Sequence, residues 1–405
     1  MHIALFCQVV DNYGDIGVCW RLARQWMAEL HDIKPALKVT LWVDDLPSFK
    51  KICAAVDPVL SAQFIEGVLI RPWRDAELAG ANVVIEAFAC HLPPQLEAAM
   101  RAERPGEARP GEARPGEARP DEAPPGEARP KWINLEYLSA EDWIETCHCG
   151  ASPQISGLTK YFFFPGFTAK TGGLLCERDL QARRLAFLRD GEAQLNWWQQ
   201  LGWAGRPSGM VVSLFCYPHA PLAGLFSAWQ AGLQSVLCLV PDSIARAALA
   251  DCFALDEARL VPGLRLQRGA LTVQIIPFVD QPAYDHLLWQ CDLNIVRGED
   301  SFVRAQWAER PFLWHIYPQD DEIHLDKLQA FLMRYLATLP DAMSATMLAL
   351  SLAWNRGQGG EIESIWPEFV AQLPMWREHA AKWCAVLAQN GNLADNLLQF
   401  IQKID

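Results

Sequence analysis

This 405-residue chain has no excess of basic charge: 35 Lys and Arg stand against 48 Asp and Glu, a formal net charge of −13. Nothing in it resembles the basic stripe that displaces counterions from phosphate, so no nucleic-acid partner is expected. No apolar run reaches the roughly 18 residues of a membrane helix, so no membrane association is expected either. Acidic residues follow directly on the first apolar run, MHIALFCQVVDNYGD, which makes the amino end unlike a signal or transit peptide. A cytoplasmic location is the resulting expectation. The 12 cysteines form no CxxC pair, which argues against a zinc ribbon or a thioredoxin-type centre. The triplet Cys147-His148-Cys149 cannot readily close a tetrahedron around one ion, so no metal is expected and the thiols read as buried in a reducing compartment. Neither G-x-G-x-x-G nor G-x-S-x-G occurs where it would be needed, which removes a dinucleotide fingerprint and a serine-hydrolase elbow.

What is present is a globular composition, 51% hydrophobic and 20% charged, long enough for two or three domains. The 17 tryptophans read first as core and interdomain packing. One segment departs from this. From about 104 to 130 the chain repeats RPGEA-like units, whose Pro and Gly break helix and strand alike, and it reads as a disordered insertion in a surface loop. On both sides of it, strand-length apolar runs alternate with helical patterns. HIALFCQVV, KVTLWVDD, GVLIRPW, NVVIEAFA and KWINLEYL are predicted strands, and VCWRLARQWMAEL is a helix with Trp20, Ala23 and Met27 on one face. The pattern breaks at Tyr161–Gly173, which suggests a crossover between domains. It restarts with strands at GMVVSLFCY, SVLCLVPDS, LTVQIIPFV, DLNIVRGED and RPFLWHIYPQ, separated by helical stretches. Two doubly wound Rossmann-like α/β domains facing a cleft are predicted: residues 1–175, residues 176–385, and a C-terminal helix within 386–405 that packs back on the first domain.

Ligands of such sheets sit beyond the carboxyl ends of the strands, so the loops after strands were searched for chemistry. After the first strand comes Asp11-Asn12-Tyr13-Gly14-Asp15-Ile16-Gly17. It holds two carboxylates four residues apart, with Asn12, Gly14 and Gly17 shaping the loop. Asp15 alone could serve as a helix cap, but capping needs only one acid. At the corresponding place in the second half lie Arg297, Gly298, Glu299, Asp300 and Ser301. Arg297, Ser301 and the helix start suit a diphosphate, and the two acids suit sugar hydroxyls. Phe278 could stack on a base and Gln281 could read its edge, with core packing the alternative for Phe278. Tyr217 is a third contributor with the same alternative.

Taken together, DNYGDIGVCWRLARQ, INLEYLSAEDW, YFFFPGF, SLFCYPHAP, PFVDQPAYDHLLWQCDLNIVRGEDSFVRAQWAERPFLWHIYPQ and HLDKL resemble the EarP family of protein-arginine rhamnosyltransferases over nearly the whole chain. The resemblance implies a GT-B fold and an inverting, metal-independent and cofactor-free transfer of L-rhamnose. The donor would be dTDP-β-L-rhamnose, and the acceptor an arginine of translation elongation factor P. The donor would lie mainly in the C-terminal domain. The resemblance also places the essential acids on Asp11, Asp15 and Glu299, and the donor pocket on Tyr217, Phe278, Gln281 and Arg297–Ser301. Two alternatives remain from the residues alone: a GT-B transferase with a different acceptor, or a non-catalytic protein-binding module built from two Rossmann domains.

Overall fold

The computed structural model describes residues 1–11, 13–30, 37–78, 80–101 and 129–404. Asn12 and residues 104–128, nearly all of the RPGEA insertion, lie outside the described residues. Two sheets organise the remainder. The first contains β1 (His2–Cys7), β2 (Lys38–Val43), β3 (Gln63–Ile65), β4 (Val68–Pro72), β5 (Val83–Ala87), β6 (Lys131–Leu135), β7 (Gly150–Pro153) and β8 (Thr159–Phe163). Its order is β3-β4-β2-β1-β5-β6-β8-β7, parallel except for the antiparallel edge strands β3 and β7. The second contains β9 (Met210–Leu214), β10 (Val236–Pro241), β11 (Arg265–Arg268), β12 (Leu271–Ile276), β13 (Leu293–Arg297) and β14 (Phe312–His315). Its order is β11-β12-β10-β9-β13-β14, parallel except at β11.

The continuous apolar runs become strands because helices cover both faces: every residue of β5, β9, β10 and β13 is buried. The helix α1 (Gly14–Leu30) follows β1 directly and buries Trp20, Ala23, Trp26 and Met27. Eight tryptophans, Trp20 and Trp354 among them, are almost wholly enclosed.

One local expectation needs correction. Tyr161–Phe163 do not begin a crossover; they complete β8, which pairs in parallel with β6. Aromatic residues favour a pleated, half-buried surface, and the chain leaves the sheet only at Pro165-Gly166. Past β2, Asp45 caps the next helix through the Ser48 N–H, and Asp44 accepts from the Val9 N–H. The stretch from Ile323 to Ala388 forms four helices against the second sheet.

The last helix, Leu393–Lys403, turns back to the first sheet. Its Leu393, Leu397, Leu398 and Ile401 share a core with Ile3, Leu5 and Trp26. The Trp26 indole donates to the Ala394 carbonyl at 3.0 Å, tying this helix to α1.

Candidate active site

The carboxyl ends of β1, β9, β13 and β14 converge on the cleft between the sheets. Asp11 lies in the loop after β1, and Asp15 in the first turn of α1. Tyr217 lies just past β9, Arg297–Ser301 just past β13, and His315 ends β14. Direct hydrogen bonds join the two lobes here. The Tyr217 hydroxyl donates to Asp11 Oδ2 at 2.6 Å, and the Leu138 N–H to Glu299 Oε2 at 3.0 Å. The Gln281 amide donates to the Gly17 carbonyl at 2.9 Å, and Arg21 Nε to Asp300 Oδ1 at 2.8 Å.

Two glycines permit this approach. Gly298 has φ +58°, and a Cβ there would lie 2.3 Å from Asp11 Oδ2 and 3.0 Å from the Tyr217 hydroxyl. A Cβ on Gly17 would lie 3.2 Å from the Asp300 side chain, so α1 comes this close to the helix Asp300–Trp307 only without one.

Two cavities meet at this seam, and Asp11 and Gly14 line both. The first, about 580 Å³, has aromatic walls from Tyr13, Phe215, Phe278 and Tyr284, with Gln281, Arg297 and Ser301. Tyr13 and Phe278 pack with their ring centres 4.9 Å apart. The Arg297 guanidinium sits 4.5 Å from the Phe215 ring centre and 4.8 Å from that of Tyr217, and donates to the Cys216 carbonyl at 3.2 Å. Its position is 8% exposed, and it makes no ion pair among the described residues. It is therefore a nearly buried cation caged by rings and available to an anion. Gln281, which lines the same cavity, has its Oε1 buried without a partner among the described residues.

The second cavity, about 830 Å³, is acidic. Asp11, Asp15 and Glu299 line it with Tyr137, Trp314, Tyr317 and Lys327. Asp15 is 3% exposed, and its Oδ2 accepts from the Val10 and Asp11 N–H groups, both at 2.8 Å. Burial raises its pKa against those two bonds. Burial also raises that of Asp11, opposed by the Tyr217 hydroxyl and Arg297, while Asp11 Oδ1 is buried with no partner among the described residues. Glu299 is pushed up to about 8 by burial and then by the charges of Asp15 and Asp300. Three carboxyls thus share one cavity and raise the cost of one another's charge, an arrangement that an entering cation would relieve.

Two of the expected site residues line the first cavity but already carry bonds within the protein. Asp300 is held by Arg21 in an interlobe ion network. In that network Arg21 also reaches Glu177 at 3.3 Å, and Arg304 binds Glu177 and Asp285, each at 2.6 Å. The Ser301 hydroxyl turns back to the Arg297 backbone, accepting its N–H at 3.0 Å. The sequence reading missed Tyr13 as a wall residue, along with Phe215, Tyr137, Lys327 and the Arg21–Glu177–Asp285–Arg304 network. Tyr13 was legible within DNYGD. The network, contributed by four separate segments, carried no local signal.

Two α/β lobes, each with a mostly parallel sheet whose carboxyl ends face a shared cleft, make up the GT-B architecture of glycosyltransferases. The family model for the elongation-factor P (EF-P) rhamnosyltransferase EarP matches residues 3–402. A protein-arginine rhamnosyltransferase of Pseudomonas aeruginosa is 45% identical over 399 residues, covering 98% of this chain and 97% of that one. One from Neisseria meningitidis serogroup B is 34% identical over 413 residues, covering 98% and 96%. A solved structure described as the structural basis for EarP-mediated arginine glycosylation of translation elongation factor EF-P superposes with a TM-score of 0.66 at 34% identity, covering 99% of this chain and 98% of that one. A glycosyltransferase from Rickettsia africae, 9% identical and covering 100% and 99%, shares the fold with a TM-score of 0.51. The chain belongs to the EarP family of protein-arginine rhamnosyltransferases, and it is an enzyme rather than a non-catalytic module. Among the described residues, no helix is long and apolar enough to cross a membrane.

Proposed function

We propose that this chain transfers L-rhamnose from dTDP-β-L-rhamnose to an arginine side chain of translation elongation factor P, in the cytoplasm, with inversion at the anomeric carbon. The observation that carries this reading is the position of Asp11, on the wall shared by an aromatic, Arg297-bearing cavity and a cavity with three carboxyls. The first suits a nucleoside diphosphate and the second suits a guanidinium.

In the donor cavity, thymine lies against Phe278 and Tyr13, and its N3–H donates to the unpartnered Gln281 Oε1. The diphosphate meets the Arg297 guanidinium and the N-terminus of the helix Asp300–Trp307. No metal or cofactor enters this reading, because Arg297 and the helix amides stabilise the leaving group. The acceptor guanidinium enters the acidic cavity, where Asp11 Oδ1 and Glu299 hold it in a fixed orientation.

Arginine is a poor nucleophile because its guanidinium stays protonated at pH 7. As a guanidinium nitrogen bonds to the anomeric carbon, the carbon–oxygen bond to the diphosphate breaks and dTDP departs with the electron pair. The attacking nitrogen gives up one proton, which Asp15 accepts; the glycosylated guanidinium keeps its charge. Attack from the face opposite the diphosphate converts the β-linked donor to an α-rhamnosyl arginine.

The test is to incubate the chain with dTDP-β-L-rhamnose and elongation factor P, then weigh and fragment the acceptor. One added deoxyhexose on an arginine supports the reading. No addition, or addition elsewhere, contradicts it.

A further inference from the structure

Two features of the opposite lobe bound Asp11: the Tyr217 hydroxyl, which donates to it, and the Gly298 backbone, which passes so close that a Cβ there would collide with its Oδ2. Both trace to one residue that no substrate-binding argument has used. His315, 1% exposed at the end of β14, accepts the Tyr217 N–H on Nδ1 at 3.2 Å, and its carbonyl accepts the Gly298 N–H at 3.2 Å. Because the Tyr217 N–H can only donate, a neutral His315 must carry its proton on Nε2. That N–H points at the His219 ring, with the two Nε2 atoms 3.0 Å apart. His219 can accept there only if its own Nε2 is bare, so the pair fixes both tautomers.

The surroundings hold this arrangement in place. The Trp354 ring packs at 5.5 Å from His315, and Asn355 brackets it, accepting the Ile316 N–H and donating to the Trp314 carbonyl. Burial, then His219 and Arg297, push the His315 pKa down to about 3, so it stays neutral across the working range.

We infer that His315 is a positioning residue for rhamnosyl transfer: with its tautomer set by His219, it anchors Tyr217 and Gly298 so that Asp11 is aimed into the acceptor cavity. This rests on the reading of Asp11 as the residue that orients the guanidinium. The chain of contacts runs His219, His315, Tyr217, Asp11, so His315 acts on the acceptor only through its neighbours.

A double-mutant cycle separates action through Tyr217 from a general structural role. His315→Phe is expected to lower kcat roughly tenfold while leaving donor affinity near the wild-type value, and to lower it less than about twofold in a Tyr217→Phe background. His315→Asn, whose Oδ1 can still accept the Tyr217 N–H, is expected to recover most of the loss. His219 is exposed, so His219→Ala tests the same chain if His315→Phe fails to fold; its smaller kcat loss should likewise vanish with Tyr217→Phe. Equal losses in both backgrounds, or losses in donor affinity alone, overturn the inference. If Asp11→Asn and Tyr217→Phe themselves leave turnover intact, the reading of Asp11 fails instead, and the positioning role falls with it.

Discussion

Adding one methyl group at Gly298 should stop transfer without unfolding the protein. Alanine in the left-handed region costs about 1–2 kcal/mol, which in a chain of this size lowers Tm by only a few degrees. The geometric consequence is larger. The new Cβ would lie 2.3 Å from Asp11 Oδ2 and 3.0 Å from the Tyr217 hydroxyl, so one of those groups must move by about an ångström. Misplacing an orienting group by that distance costs on the order of 100-fold in rate. Gly298 lines the acidic cavity but not the aromatic one, so donor affinity should hold. The assay is single-turnover transfer to elongation factor P read by intact mass, with donor binding by calorimetry and Tm alongside. Gly298→Asn separates strain from collision, because asparagine tolerates the left-handed region yet still carries a Cβ. It should lose transfer as Gly298→Ala does. Wild-type turnover in either variant would refute the argument that the Asp11–Tyr217 contact sets the geometry of transfer.

Other outcomes follow from the same structure. Phe278→Ala should weaken dTDP-rhamnose binding by roughly 1–3 kcal/mol if the ring stacks on thymine; an unchanged affinity in calorimetry would return Phe278 to core packing against Tyr13 and Phe215. Glu299 is pushed up to about 8 by burial, so in the folded chain it gains its charge only as pH rises through 8, whereas the unfolded chain ionises near 4.5. The neutral form therefore supports stability below the lower value, and that support is lost as pH climbs through the higher. Glu299→Gln should accordingly melt above wild type by a margin that widens from pH 6 to pH 9, and a constant or shrinking margin would contradict the burial argument. Arg21→Ala leaves Asp300 and its neighbours without a cation in a nearly closed setting, and should cost about 3–5 kcal/mol in denaturant unfolding. A loss below about 1 kcal/mol would mean the network is solvated.

The elements around the site were legible where pattern and position agreed. Continuous apolar runs such as NVVIEA and MVVSL could only be strands covered on both faces, and the loops after β1 and β13 were marked by acids and glycines that a simple turn does not need. Asp11, Asp15, Phe278, Gln281, Arg297 and Glu299 line the two cavities of one seam, and Tyr217 joins it through its bond to Asp11. Less legible was what each group does before substrate arrives. Asp300 looked as available as Glu299, yet a partner 279 residues away in sequence claims it. The Ser301 hydroxyl looked ready for phosphate and instead bonds its own loop. Such commitments depend on distant contacts, and single-chain patterns carry no trace of them. His315 was hidden for another reason: it ends an apolar strand, where a histidine reads as a satisfied core residue. Only the register that sets it beside Arg297 reveals its place.

The central claim is that the acidic cavity, with Asp15 at its wall, takes up the proton released when arginine attacks the sugar. Asp15→Asn keeps the size and much of the shape of the side chain while removing its basicity. Measured by intact mass of elongation factor P under single-turnover conditions, this variant should bind dTDP-rhamnose as tightly as wild type yet leave the acceptor unmodified. Full rhamnosylation by Asp15→Asn at the wild-type rate would contradict the account.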